Sequence, residues 1–187
     1  AEGLAVKTGM HGTAVWVTGD EVSKRVKGPH RALMALHIAR RSGLLDGVPQ
    51  LDLNPMPMSP VPDLRMLTGL SGLTRLTIGM AGGLGSLDGL SGLPALQELR
   101  LARKDHDFTG LSALPSLTTI RGKCRSLEGL DAVPSLTTLH LDGDFSDLRP
   151  LSGLRALTTL SLQSRQVRDL TPPVSYTHLR AHETVRN

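Results

Sequence analysis

Apolar residues recur along most of this chain at a spacing that belongs neither to a long helix nor to an ordinary strand. From residue 64 they follow L-x-x-L-x-x-L-x-x-L-x-x-L-x-L. Leu64, Leu67, Leu70, Leu73, Leu76 and Ile78 form one unit, and Leu87, Leu90, Leu93, Leu96, Leu99 and Leu101 the next. Phe108, Leu111, Leu114, Leu117 and Ile120 open a third, in which Gly122 takes the last apolar place. Leu127, Leu130, Val133, Leu136, Leu139 and Leu141 make a fourth, and Leu148, Leu151, Leu154, Leu157, Leu160 and Leu162 a fifth. A truncated sixth starts at Leu170, so the period is about 21 residues, the length scale of stacked repeats.

Two periods alternate inside each unit. The L-x-L end, flanked by Thr, has period 2 and predicts a short strand whose leucines point inward and whose neighbours point outward. The L-x-x-L-x-x-L part has period 3 and predicts a 3₁₀-like or single helical turn laid antiparallel to the strand. Parallel strands are therefore expected near residues 75–79, 98–102, 119–123, 138–142 and 159–163. A leucine coiled coil is excluded because Gly and Pro recur inside the units, with Pro94, Pro115 and Pro134 at one place in three successive repeats.

The residues between the leucines repeat as well: GLSGLTRLTI, GLSGLPALQELRL, GLSALPSLTTI, GLDAVPSLTTLHL and PLSGLRALTTLSL. From about Leu64 to Pro172 the chain resembles the leucine-rich repeat family in its short bacterial, internalin-type form. In style it also resembles the repeat regions that follow NACHT-type NTPase domains. The family resemblance implies an α/β class, a right-handed solenoid with a parallel sheet on its concave face. One departure stands out. Members commonly carry Asn three residues after the last strand leucine, whereas here the position holds Ala81, Lys104, Arg125, Asp144 and Arg165. Either Cys124, Gly82, Gly83 and Gly143 build a different turn, or the turns are looser, and the unequal unit lengths favour looser turns.

Residues 1–63 read as a separate N-terminal region. Thr13 to Val17 predicts a strand and Thr18-Gly19-Asp20 a turn. Pro29 to Arg41 predicts a helix with Ala32, Leu33, Leu36 and Ala39 on one face and Gly43 as its stop. That helix is expected to cap the core. Val48, Leu51 and Leu53 read as a degenerate first repeat within 44–53, and Asn54 to Pro62 as an extended proline-rich connection. The repeats occupy 64–172. Residues 173–187 break the pattern, and VSYTHLRAHET from Val174 resembles the translation of a transposase adapter used in short-read sequencing libraries. Together with Ala1 in place of Met, this predicts a fragment of a longer protein with an artefactual tail. It also argues against a metal pair at His178 and His182. An uncapped last repeat should leave Leu154, Leu157, Leu160 and Leu162 partly open.

Composition narrows the chemistry. Of 187 residues, 35 are Leu and only four are aromatic, so the core is aliphatic. No run of 18 apolar residues spans a membrane, and one cysteine, Cys124, excludes an internal disulfide. A net charge of +4 without a Lys/Arg block or aromatic interleaving gives no dedicated nucleic-acid surface. There is no G-x-x-x-x-G-K-[ST] phosphate loop and no G-x-S-x-G elbow. The glycine-rich Gly79 to Gly85 follows a repeat strand and reads as a loop. Asp105, Asp107, Asp144 and Asp147 fall in turns, where Asp serves turn chemistry rather than calcium. Neither an enzyme nor a cofactor or metal site is expected.

Function then rests on the open face of the sheet. Aligned on the leucines, Thr77, Arg100, Arg121, His140 and Ser161 form one outward column; Arg75, Glu98, Thr119, Thr138 and Thr159 stand on one side, and Gly79, Ala102, Lys123, Asp142 and Gln163 on the other. The expected partner-binding residues are Arg75, Glu98, Arg100, Arg121, Lys123, His140, Asp142 and Gln163. The arginines suit an acidic or phosphate-like group on a protein partner, unless Glu98 and Asp142 neutralise them internally. The expected role is a non-catalytic interaction module of a larger cytoplasmic bacterial protein. An exported adhesion protein and a purely structural arm are the rival readings.

Overall fold

A computed structural model describes residues 4–9, 12–17, 40–41, 43, 45–52, 64–78, 87–102, 107–111 and 114–167. Among the described residues eight strands, numbered in chain order, form one sheet in the order β1 to β8. β1 (Leu4–Gly9) and β2 (Gly12–Val17) pair as an antiparallel hairpin from Leu4 opposite Val17 to Gly9 opposite Gly12. Thr13 opposite Leu51 joins β2 to β3 (Gln50–Asp52), and from there every pairing is parallel. β4 (Arg75–Ile78), β5 (Glu98–Leu101), β6 (Thr119–Cys124), β7 (Thr138–Gly143) and β8 (Thr159–Ser164) follow in turn, close to the five predicted strands.

The period-3 leucines have a local cause. Leu90, Leu93 and Leu96 each donate their backbone N–H to the carbonyl three residues back, at Leu87, Leu90 and Leu93. The same chain of bonds links Leu127, Leu130, Val133 and Leu136, and then Leu148, Leu151, Leu154 and Leu157. A 3₁₀ turn brings every third side chain to the same side, so these bonds turn each leucine inward. Among the described residues four segments are regular 3₁₀ helix: η1 (Leu64–Leu67), η2 (Asp88–Gly92), η3 (Leu130–Ala132) and η4 (Arg149–Gly153). Pro94, Pro115 and Pro134 lie in the exposed turns that follow the period-3 segments.

The leucines meet in one continuous core. Leu64, Leu76, Leu90, Leu99, Leu117, Ile120, Leu136 and Leu139 are fully buried. Leu154 and Leu157 are buried too, so the expectation that they stand open is corrected; only Leu160 and Leu162 of that group are half-buried. Each inner leucine is covered by the repeats on both sides, and Leu160 and Leu162 lie on β8, the last strand among the described residues, where β7 covers them.

At the N-terminal end, the predicted strand Thr13–Val17 finds its partner in Leu4–Gly9, which has no repeat signal, and Leu51 is buried in β3. Of the predicted helix, Arg40 and Arg41 are helical, and Gly43, with φ +72°, donates to the Arg40 carbonyl as the stop residue. The remainder of that helix, the proline-rich connection, the Gly79 to Gly85 loop, Asp105 and the 173–187 tail with its histidines lie outside the described residues.

At the ends of β6 and β7 the residues Cys124 and Gly143 take inward places, as in the first of the two turn alternatives open to the sequence. The inward alternation continues past the leucines to Cys124, Gly143 and Phe145, all buried. Arg125 and Asp144, at the family's Asn position, are exposed. Close approach explains Gly143, since a Cβ there would sit 1.9 Å from the Cys124 carbonyl oxygen. Turn polar groups are satisfied by a recurring short residue instead. Asp107, Ser126 and Asp147 accept the backbone N–H two residues on, at Thr109, Glu128 and Arg149.

Candidate functional site on the open sheet face

Strand register assembles the face. Arg75, Glu98, Thr119, Thr138 and Thr159 are directly opposite one another across β4 to β8. Two residues on, Thr77, Arg100, Arg121, His140 and Ser161 form the second column. Lys123, Asp142 and Gln163 form a third across β6 to β8. All eight predicted partner-binding residues therefore share one face, and apart from the largely covered Glu98 their side chains are exposed or half-exposed, while the residues between them are mostly buried leucines.

The charges on this face are organised around Glu98. Its carboxylate accepts from Arg75 Nε at 2.5 Å and from Arg100 Nε at 2.7 Å, and Arg121 Nε stands 3.8 Å away. Glu98 is the least exposed of the four, with 14% of its side chain open against 40% for Arg75 and 49% for each of the other arginines. Burial pushes its pKa upward, but the hydrogen bonds from Arg100 and Arg75 outweigh this and hold it below the usual value. Three guanidiniums on one carboxylate leave the cluster with two positive charges. Next to Arg121, His140 has its pKa lowered, first by burial and then by the Arg121 charge. In the third column Lys123 lies 3.8 Å from Asp142, which balances that pair.

Glu98 thus meets the arginines from within the sheet, as the sequence allowed. It does not cancel them. The turn carboxylates have settled partners elsewhere: Asp107 binds Arg125 at 3.2 Å, and Asp147 binds Arg149 at 2.7 Å, with its pKa held down to about 2 by that side chain. Among the described residues no group of three or more His, Cys, Asp or Glu could hold a metal ion, and no helix is long and apolar enough to cross a membrane. Burial, then the nearby Asp142, pushes the Cys124 thiol up to about 12.

A threonine ladder supporting the face is absent from the expectations above. Thr74, Thr118, Thr137 and Thr158 each precede a strand, and each donates its hydroxyl to a carbonyl of the previous repeat, at Pro49, Gln97, Thr118 and Thr137. The same carbonyls also accept two backbone N–H groups, those of the threonine and of the residue after it. A Thr two residues before the first apolar residue of the strand, at 74, 118, 137 and 158, is the signal that could have revealed it.

No family model and no curated protein sequence matches the chain. Solved structures do. A crystal structure of internalin C2 from Listeria monocytogenes aligns with a TM-score of 0.54 at 23% identity, over 71% of this chain and 59% of the internalin. The chain has the leucine-rich-repeat fold. A second internalin of the same organism, internalin F, aligns with a TM-score of 0.49 at 21% identity, over 64% of this chain and 35% of its own. This leucine-rich-repeat chain therefore spans less than two thirds of either internalin. Its arginine cluster occupies the strand positions between the repeat leucines, where substitutions change the surface without touching the core.

Proposed function

We propose that this chain is a non-catalytic protein-interaction module whose open sheet face, the concave side of the solenoid, receives the partner. The observation that carries this is the in-register cluster of Arg75, Glu98, Arg100 and Arg121 on a rigid parallel sheet. Side chains on such a platform lose little order on binding, and arginines in a field of threonines make strong recognition points. In this reading the module is the ligand-sensing or partner-binding region of a larger cytoplasmic bacterial protein, with a NACHT-type NTPase upstream of the repeats. Arg75, Glu98, Arg100, Arg121, Lys123, His140, Asp142 and Gln163 form the contact surface. Neither nucleic acid nor a membrane is the partner.

A photo-crosslinking residue placed at Thr138 on the open face, and another at Ser152 in η4, would test the face. A partner captured from Thr138, lost with Arg100→Ala and Arg121→Ala, and not captured from Ser152 supports the proposal. Capture from Ser152 alone overturns it. Recovery of the flanking gene tests the wider setting: a phosphate-loop motif upstream supports the cytoplasmic NTPase reading, and a signal peptide or wall anchor replaces it with the exported adhesion one.

A further inference from the structure

Glu98 reaches the arginine cluster in a particular way. Arg75, Arg100 and Arg121 all present Nε to it, and Arg100 and Arg121 remain about half exposed. No contact between described residues engages the outer nitrogens of these last two guanidiniums, which form the fork that binds oxyanions bidentately. Arg100 and Arg121 are directly opposite on adjacent strands, about 4.8 Å apart at the backbone. Two forks so placed can grip one tetrahedral group from both sides.

We infer that Arg100 and Arg121 form a receptor for a single phosphomonoester carried on a partner protein, with Glu98 and Arg75 holding the pair in place. This rests on the open-face reading of the preceding subsection and deepens it. Charge selects the dianion. The cluster already contains its own carboxylate, and two positive charges remain; an acidic side chain would neutralise one of them. A phosphomonoester carries about −1.5 to −2 at pH 7 and offers three acceptor oxygens, which matches both the charge and the two forks.

The surroundings select a phosphorylated protein over a nucleic acid. The neighbouring open-face residues Thr77, Thr119, Thr138 and Ser161 supply hydroxyls for a peptide backbone, and the single imidazole of His140 beside Arg121 gives a base one stacking ring, not a succession of them. Among the described residues positive charge also fails to continue along the face, because Lys123 is balanced by Asp142. A strand of consecutive phosphates would find one binding point rather than a track.

The test uses the full chain with ¹⁵N-labelled arginine. N-acetyl-O-phosphoserine methylamide and N-acetyl-glutamate methylamide are titrated at pH 7.5 and constant ionic strength, and the arginine Nε–H resonances are followed by NMR. The phosphoserine compound should shift Arg100 and Arg121 and bind at least tenfold more tightly than the glutamate compound. Arg100→Gln with Arg121→Gln should weaken it tenfold or more, Glu98→Gln should tighten it about threefold by removing the competing charge, and Arg155→Gln should leave it unchanged. Equal affinity for the glutamate compound overturns the dianion and keeps the face as a docking surface. So does tighter binding of an eight-nucleotide single-stranded DNA, or a phosphoserine response that survives the double substitution. No response to either compound, with partner crosslinking from Thr138 intact, removes the phosphate receptor but not the face.

Discussion

Gly122 occupies the place where the neighbouring repeats have Leu101 and Leu141, so a consensus repair of the repeat would write Leu there. The geometry predicts the opposite effect. Its φ is +138°, which side-chain-bearing residues rarely adopt, and an added Cβ would sit 1.8 Å from the Leu101 carbonyl oxygen and 2.7 Å from the carbonyl carbon. Both obstacles are backbone in the adjacent strand and cannot rotate away. Forcing the backbone value costs about 1 to 3 kcal/mol. Displacing the packed strand costs a further 1 to 3 kcal/mol, roughly. Against this, Ala recovers about 1 kcal/mol from burial and from a less flexible unfolded chain. Gly122→Ala should therefore destabilise by about 1 to 5 kcal/mol, lowering Tm by roughly 2 to 4 °C per kcal/mol for a chain of this size.

Urea unfolding followed by circular dichroism measures this, with the slope m compared between variants so that a changed denatured state is not mistaken for a changed native one. Gly122→Leu should also destabilise, because a buried Leu returns about 1.5 to 3 kcal/mol against a combined strain of about 2 to 6 kcal/mol, and its larger side chain meets the same backbone. Gly153→Ala is the control: its φ is ordinary and the nearest atoms to a new Cβ are 3.6 Å away, so it should be neutral or slightly stabilising. A rise in stability for Gly122→Leu would refute the close approach of β5 and β6 at this point.

Leu139→Ala should cost about 2 to 5 kcal/mol in the same assay, since Leu139 is fully buried between repeats on both sides; a cost below about 1 kcal/mol would remove it from the core. Thr137→Val keeps the shape of the side chain but loses the hydroxyl bond to the Thr118 carbonyl, and should cost about 0.5 to 1.5 kcal/mol, whereas Thr137→Ser should cost less. Acid should weaken the fold in two stages. His140 has a folded pKa below 6.5, so the unfolded chain takes up its proton first and stability falls as the pH drops through 6.5. Glu98 has a folded pKa below 4.5, so its contribution is present above 4.5 and is lost as the pH falls further. Unfolding midpoints measured between pH 8 and 3 should show both, and His140→Gln should remove only the upper stage.

Much of this architecture is legible in the sequence because its causes are local and repeated. Three-residue spacing identifies the 3₁₀ segments, where each leucine donates to the one before it. Register is legible for a related reason: with the leucines of successive units stacked, the residue between them has no choice of neighbour, so Arg100, Arg121 and His140 had to be adjacent. The hairpin of β1 and β2 is not legible, because its pairing occurs once and Leu4–Gly9 has no partner pattern to repeat. Phe145 escaped for another reason, since it lies in the interval where unit lengths differ and alignment on leucines leaves it between repeats. The direction of the arginine side chains toward Glu98 also lies beyond the pattern. Arg75 comes from the preceding strand and Arg100 from two residues along the same one, a choice of rotamers made across strands.

The missing asparagine ladder connects these points to the binding face. A stacked repeat must satisfy the backbone groups where the chain enters and leaves each strand, or bury them at a cost of about 1 to 3 kcal/mol each. Here the ladder stands at the start of the strand, where Thr74, Thr118, Thr137 and Thr158 reach back to the previous repeat. At the far end Asp107, Ser126 and Asp147 accept the turn N–H groups, and β6, β7 and β8 run on to Cys124, Gly143 and Ser164 in continuous parallel pairing. That extension adds Lys123, Asp142 and Gln163 to the open face as a third column. These longer strands widen the surface beside the arginine cluster, where Lys123 and Asp142 balance each other and, among the described residues of the face, leave the unbalanced positive charge on Arg75, Arg100 and Arg121.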